Sequence, residues 1–231
     1  MSRYNTLLFD LDGVIFDFKK AEKHSFIETF RKIGIDVDES LFKRYHQIND
    51  QLWKEFELGH VTKDEVTVGR FKQLFEQLGF DYPYDRFASD YQEGLADGYF
   101  LISHAKETLE TLSSTFRLFA VTNGVSKTAF KRLKGTDTLK YFQDVFVSED
   151  LHAQKPSMEY FNQVFSRIKG FNPKTTLLIG DSLTSDIQGA NNAGLDSCWI
   201  NTARQPLTGS AVPTYQITHI EDIFEILVKR A

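Results

Sequence analysis

Four short apolar runs in this sequence each end in residues able to do chemistry on a charged group. Leu7-Leu8-Phe9 runs into Asp10 and Asp12, with Gly13 behind them. Leu118-Phe119-Ala120-Val121 runs into Thr122, Asn123 and Gly124. Val145-Phe146-Val147 leads through Ser148-Glu149-Asp150 to Lys155-Pro156, and Thr176-Leu177-Leu178-Ile179 runs into Gly180, Asp181 and Asp186. Acids at the end of a buried apolar strand are costly and require cations. Strand periodicity brings positions i and i+2 to one side, so Asp10 and Asp12 converge beyond the strand end. In open α/β sheets that edge is where ligands bind. A hydroxyl, an amide and a glycine whose N–H approaches an anion closely add donors, and Lys155 adds a cation ahead of a helix start. Acids, donors and a cation at four strand ends point to phosphate and metal chemistry.

Taken singly, each of these residues has a plainer reading. Asp10-x-Asp12 also opens a calcium loop, but such a loop needs glycine at its sixth position and glutamate at its twelfth. Here the glycine is fourth and the twelfth residue is Ala21. A lone lysine is usually exposed, a lone strand-end threonine sits in a turn, and Asp181 with Asp186 reads as a strand terminus and a helix cap. What outweighs these readings is that the residues share one position, at the ends of strands. The six histidines show no metal-ligand spacing.

The elements that would hold such a site follow from the apolar pattern. Helical spacing is present over 18–34, 38–58 and 84–98, and a capping box at Thr62-Lys63-Asp64-Glu65 opens a further helix running to Gly79. From 104 onward, helices (104–114, 126–134, 157–168, 185–193, 221–228) alternate with the apolar runs and with Ser197-Cys198-Trp199-Ile200, while 201–214 reads as a loop. Alternation of this kind implies a doubly wound parallel α/β sheet. The run at 7–9 belongs to it as well, which makes the helical block an insertion. The expected organisation is a core of 1–16 and 100–231 with a four-helix cap over 17–99.

Composition narrows the class. The chain has 231 residues, a net charge of −5 and acids and bases mixed along its length, so it carries no basic footprint for a nucleic-acid polymer. No stretch approaches the length of a membrane span, and the start lacks a secretory pattern. The single cysteine, Cys198, argues against a disulfide framework and for a reducing, cytoplasmic compartment. The 21 phenylalanines read chiefly as core.

The ordered set Asp10-x-Asp12-Gly-Val, Thr122-Asn123-Gly, Lys155-Pro and Gly-Asp181-x4-Asp186 resembles the four signature motifs of the haloacid dehalogenase superfamily, with a helical cap inserted between the first and second. Ile48-Asn49-Asp50-Gln51-Leu52-Trp53, Gly59-His60-Val61-Thr62, Arg70-Phe71 and Cys198-Trp199-Ile200-Asn201 resemble its pyrimidine-nucleotidase branch. The resemblance implies a Mg²⁺-dependent phosphomonoester hydrolase, with nucleoside 5′-monophosphates as the expected substrates. It implies Asp10 as nucleophile forming an aspartyl-phosphate and Asp12 as general acid and then general base. Lys155 would neutralise charge on the nucleophile and phosphate, and Thr122 and Asn123 would bind phosphoryl oxygens. Asp10, the Asp12 backbone carbonyl and Asp181 would hold the metal, and Asp186 would orient Lys155 or a metal-bound water. Trp53, Phe56, Arg70 and Phe71 become candidates for a pocket in which a ring stacks on a base, against the reading that aromatics at helical spacing are core. A small phosphate ester is then the expected partner, and the assembly a monomer or homodimer. Among alternatives, a dehalogenase needs no acid at Asp12, and a sugar-phosphate mutase typically carries histidine and basic residues where this chain reads Phe16-Asp17-Phe18-Lys19-Lys20. Phosphatases of other small metabolites and a non-catalytic binding protein remain.

Overall fold

The computed structural model describes residues 2–228, so Met1 and 229–231, which the expected core boundaries include, lie outside the described residues. Strands β1 (Thr6–Phe9), β2 (Arg117–Thr122), β3 (Asp144–Val147), β4 (Thr176–Gly180), β5 (Asp196–Ile200) and β6 (Tyr215–Ile217) form one sheet in the order β3-β2-β1-β4-β5-β6. Every neighbouring pair is parallel. Successive strands are added in opposite directions on either side of the β1–β4 pair, so the ends of these two strands border the crevice that an open sheet offers to ligands. Side chains alternate as the pleat requires: Leu7 and Phe9 join Leu118, Ala120, Leu177 and Ile179 on one face, and Leu8 joins Phe119, Val121 and Leu178 on the other. Both faces are covered and all four residues of β1 are buried, so the apolar runs are continuous rather than alternating.

The chain forms two compact units, one of residues up to Phe18 together with Phe100 onward, the other Lys19–Tyr99. The second is helical, with α1 (Phe18–Lys32), α2 (Glu39–Glu57), α3 (Lys63–Thr67), α4 (Gly69–Leu78) and α5 (Tyr84–Ala96). Asp38 caps α2 by accepting from the Leu41 N–H, and the Thr62–Glu65 capping box starts α3. The helix expected from Thr62 to Gly79 is broken at Val68, where Thr67 Oγ1 turns back to the Lys63 carbonyl and Gly69 follows. The interior of this unit is aromatic: Tyr45 stacks on Phe26 at 4.4 Å and on Phe71 at 5.4 Å. A polar thread crosses it, with Arg70 Nη1 donating to Asn49 Oδ1 and Asn49 Nδ2 to Glu22 Oε1, both at 2.8 Å.

Around the sheet lie α6 (Ala105–Ser113), α7 (Ser126–Gly135), α8 (Ser148–Leu151), α9 (Met158–Arg167), α10 (Gln188–Asn192) and α11 (Ile223–Val228). Three details depart from the sequence reading. β6 is an additional strand, three residues long at the sheet edge and too short to show a period. The one-turn helix α8 follows β3 directly. The helix expected over 185–193 begins as a π-turn, Leu183–Ile187, in which the Ile187 N–H reaches the Ser182 carbonyl five residues back.

Candidate active site

β1 ends at Phe9, and its last rung is continued by the Asp10 N–H, which donates to the Ile179 carbonyl of β4 at 2.9 Å. That bond fixes Asp10 beside Gly180 and Asp181 at the sheet's carboxyl edge. The following turn is closed by Gly13 N–H to Phe16 O at 2.9 Å, with Gly13 at φ +81°. A side chain at Gly13 would overlap the Asp181 carboxylate, so this position needs glycine for space as well as for φ.

Lys155 is the hub. Its ammonium has three protons and meets three acceptors: Asp10 Oδ1 at 2.7 Å, Asp186 Oδ1 at 2.6 Å and the Val121 carbonyl at 2.9 Å. Lys155 is 1% exposed and Asp186 0%, so these are desolvated, charge-assisted bonds. Burial alone would lower the lysine's pKa, but Asp10 and Asp186 outweigh it and hold it above the usual range. The Lys155 backbone is clamped by Asn123, whose side-chain amide donates to the Lys155 carbonyl and whose amide oxygen accepts the Lys155 N–H, both at 2.9 Å. The Asn123 side chain therefore builds the lysine's seat instead of facing outward. Thr122 Oγ1 accepts the Gly124 N–H at 3.0 Å, which leaves its own proton as a donor.

After β4, Ser182 N–H donates to Asp186 Oδ2 at 3.1 Å, and the Trp199 indole of β5 donates to the Asp181 carbonyl at 2.8 Å. Asp10, Asp181 and Asp186 present carboxylate oxygens within 4.8 Å of one another. Burial raises the pKa of Asp10 well above the ordinary carboxylate range, with Asp186 and Asp181 adding to it against Lys155. Asp181 is exposed at the rim, yet surrounding protein atoms desolvate its carboxyl; with the charges of Asp186 and Asp12 this pushes its pKa up to about 7. Four carboxylates (Asp10, Asp12, Asp181, Asp186) face two cations, Lys155 and Arg132. An all-oxygen donor set with two negative charges in excess fits a hard divalent cation.

Arg132, on α7, is the member of the site that sequence reasoning missed. Its Nη1 donates to Asp12 Oδ1 at 2.5 Å. Among Lys127, Lys131 and Lys134 it reads as one more charge on a solvated face. The available signal was its spacing, because Thr128, Ala129, Arg132 and Leu133 form the buried stripe of the helix.

A family model for haloacid dehalogenase-like hydrolases matches residues 7–200. This chain belongs to that family. As a haloacid dehalogenase-like hydrolase it is 42% identical over 227 residues to the HAD-hydrolase YfnB of Bacillus subtilis, covering 98% of this chain and 97% of that one. The crystal structure of YfnB bound to magnesium superposes with a TM-score of 0.93 over 98% of this chain and 100% of that one. The pyrimidine 5′-nucleotidase PynA of Streptococcus pneumoniae is 36% identical over 228 residues, 98% of this chain and 96% of PynA.

The hydrolase's four pocket candidates all lie in the helical unit, and their exposure divides them. Phe71 is fully buried against Tyr45, and Arg70, 1% exposed, gives Nη1 to Asn49; both belong to that unit's interior, where aromatic packing at helical spacing put them. Phe56 is buried edge-on to Trp53, ring centroids 5.7 Å apart. Trp53 is only half-buried, with the Lys63 ammonium 5.0 Å from its centroid. Of the four, Trp53 is the one that is not buried.

Proposed function

We propose that this hydrolase cleaves phosphomonoesters through an aspartyl-phosphate on Asp10, with Mg²⁺ as cofactor and nucleoside 5′-monophosphates as substrates. The observation that carries the reading is the pair of acids two residues apart and held differently: Asp10 against a buried ammonium, Asp12 partly exposed against a guanidinium. Asp10 Oδ2 would attack phosphorus while the bond to the ester oxygen breaks. Lys155 offsets charge on the nucleophile without giving up a bond, because its three protons stay on Asp10, Asp186 and Val121. Asp12 donates a proton to the departing alkoxide; it then takes one from a water that attacks phosphorus and breaks the bond to Asp10. The free proton of Thr122 is placed to donate to a phosphoryl oxygen. Asp10, Asp181 and the Asp12 backbone carbonyl would hold Mg²⁺, which supplies charge neutralisation at the transferring phosphoryl group. Asp186, tied to Lys155 and Ser182, would orient rather than ligate.

The nucleotide preference is supported by similarity to PynA and to the Escherichia coli pyrimidine 5′-nucleotidase YjjG, 23% identical over 227 residues. The test is phosphate release from nucleoside monophosphates, sugar phosphates and phosphoglycolate, with Mg²⁺ and with chelator, beside Asp10→Asn. Selective Mg²⁺-dependent release from nucleotides, abolished in a folded Asp10→Asn, is expected. Preference for another ester overturns the substrate, and turnover by Asp10→Asn overturns the nucleophile.

A further inference from the structure

Arg132 is 2% exposed, and its guanidinium lies 4.0 Å from the centroid of the Phe16 ring while Nη1 holds Asp12 Oδ1. Asp12 and Phe16 are the two ends of the turn that follows β1, bridged to each other. One buried cation on α7 therefore grips both ends of the turn carrying the acid. Its Nε and Nη2 are buried without an acceptor. A guanidinium placed for stability would normally satisfy its five donors, because desolvated N–H groups left unpaired are unfavourable. Among the described residues the guanidinium's one hydrogen bond is to Asp12, so the arrangement serves the carboxylate more than the core.

The two oxygens of Asp12 are thereby made unequal. Oδ1 is tethered to Arg132. Oδ2 faces the corner left open by the missing side chain of Gly124: a methyl built on Gly124 would lie 3.8 Å from Oδ2 and 3.2 Å from Thr122 Oγ1. That corner is flanked by the Thr122 hydroxyl, whose proton has no acceptor among the described residues.

We propose that Arg132 is a positioning residue for Asp12: it anchors Oδ1 and so turns Oδ2 toward the Thr122–Gly124 corner, where Oδ2 exchanges a proton with the leaving group and then with water. The proposal rests on the phosphatase reading above. It assigns the proton transfer to one named oxygen and gives α7 a role in catalysis. Lysine can replace the charge but not the planar fork, so Arg132→Lys should act as a partial substitute. Methionine keeps the apolar stem over Phe16 and removes the tether.

The experiment is a cycle of Arg132→Met, Asp12→Asn and the double variant, with Arg132→Lys alongside. Each is assayed on uridine 5′-monophosphate and p-nitrophenyl phosphate, with Tm recorded. Loss of acid–base catalysis is worth roughly 10²–10⁴-fold, so Arg132→Met should lower kcat on the nucleotide by about ten- to a hundredfold, with KM little changed. The loss should be smaller on the aryl ester, whose leaving group needs no proton. Arg132→Lys should recover part of it. In the Asp12→Asn background, Arg132→Met should cost no more than about twofold, since residues acting through one another are not additive. Fully additive losses, or equal slowing of both esters, would overturn the assignment. So would a rise in KM with kcat intact. If Arg132→Met fails to fold, the same comparisons on Arg132→Lys decide. Absence of phosphate release by the wild type overturns the phosphatase reading itself, and with it this proposal, whereas wild-type turnover that ignores position 132 overturns only the proposal.

Discussion

At Lys155 three acceptors converge on one ammonium, and without it the Asp10 and Asp186 carboxylates lose their buried counter-charge. Removing one partner of a buried ion pair costs about 3–5 kcal/mol, because the remaining charge is left without compensation. Lys155→Met should therefore lower Tm markedly as well as abolish turnover, since Asp10 and Asp186 would face each other unscreened. Loss of activity at unchanged Tm would show that the lysine is not the hub these distances describe. Asp10 and Asp181 carry the complementary prediction. Both carboxyls are raised in the folded protein, Asp181 from 3.8 to about 7. Between those values the folded state binds more protons than the unfolded one, so this contribution to stability falls as pH rises through about 4 to 7. In chelator, Tm should decline over that window. Mg²⁺ competes with the same protons, so its Tm increment should grow from pH 5 to pH 8 and shrink in Asp181→Asn. An increment independent of pH would contradict the reading of Asp181 as a crowded ligand.

The π-turn after β4 decides where Asp186 points. Asp186 turns back over Gly180, the last residue of β4, accepting Ser182 N–H with one oxygen and Lys155 with the other. A Cβ at Gly180 would overlap the Asp186 carboxylate, so Gly180→Ala must push the turn away from the sheet edge. Activity should fall by at least tenfold with only modest loss of Tm, and a crystal structure should show the Lys155–Asp186 bond lengthened. Wild-type activity in Gly180→Ala would mean that this packing is not needed. Element α7 was legible as a helix over 126–134, but its function was not. The one basic residue that faces inward is indistinguishable by type from the lysines around it.

Across the molecule, the sheet places its one cysteine in the innermost layer. Cys198 lies on β5, buried, and burial with the nearby Asp222 charge pushes its thiol up to about 12. Only thiolate reacts with disulfide reagents. The native protein should give no colour with a thiol reagent at pH 8 and one equivalent after unfolding in guanidinium; rapid labelling of the native state would contradict the packing of β5. The parallel sheet and the helical insertion were both readable from the order of the apolar runs, since each run is local and the alternation of periods needs no partner. β6 was not, because three residues at an edge acquire strand geometry only by pairing with β5.

The sequence by itself determined which residues lie at the strand ends. Asp10, Asp12, Thr122 and Asp181 each stand at or just beyond the end of an apolar run, and a run's end is set by its own few residues. It also determined the capping of α3 by Thr62 and Glu65, a contact within one turn. Tertiary structure alone decided how the charges pair. Arg132 meets Asp12 across 120 positions and Lys155 meets Asp10 across 145. Such pairings depend on the order in which strands assemble, which no local period encodes. Tertiary structure also decided that Arg70 and Phe71 lie inside the helical unit, since an aromatic at helical spacing serves a core or a pocket with the same pattern. Only the neighbouring helices determine which side of it is covered.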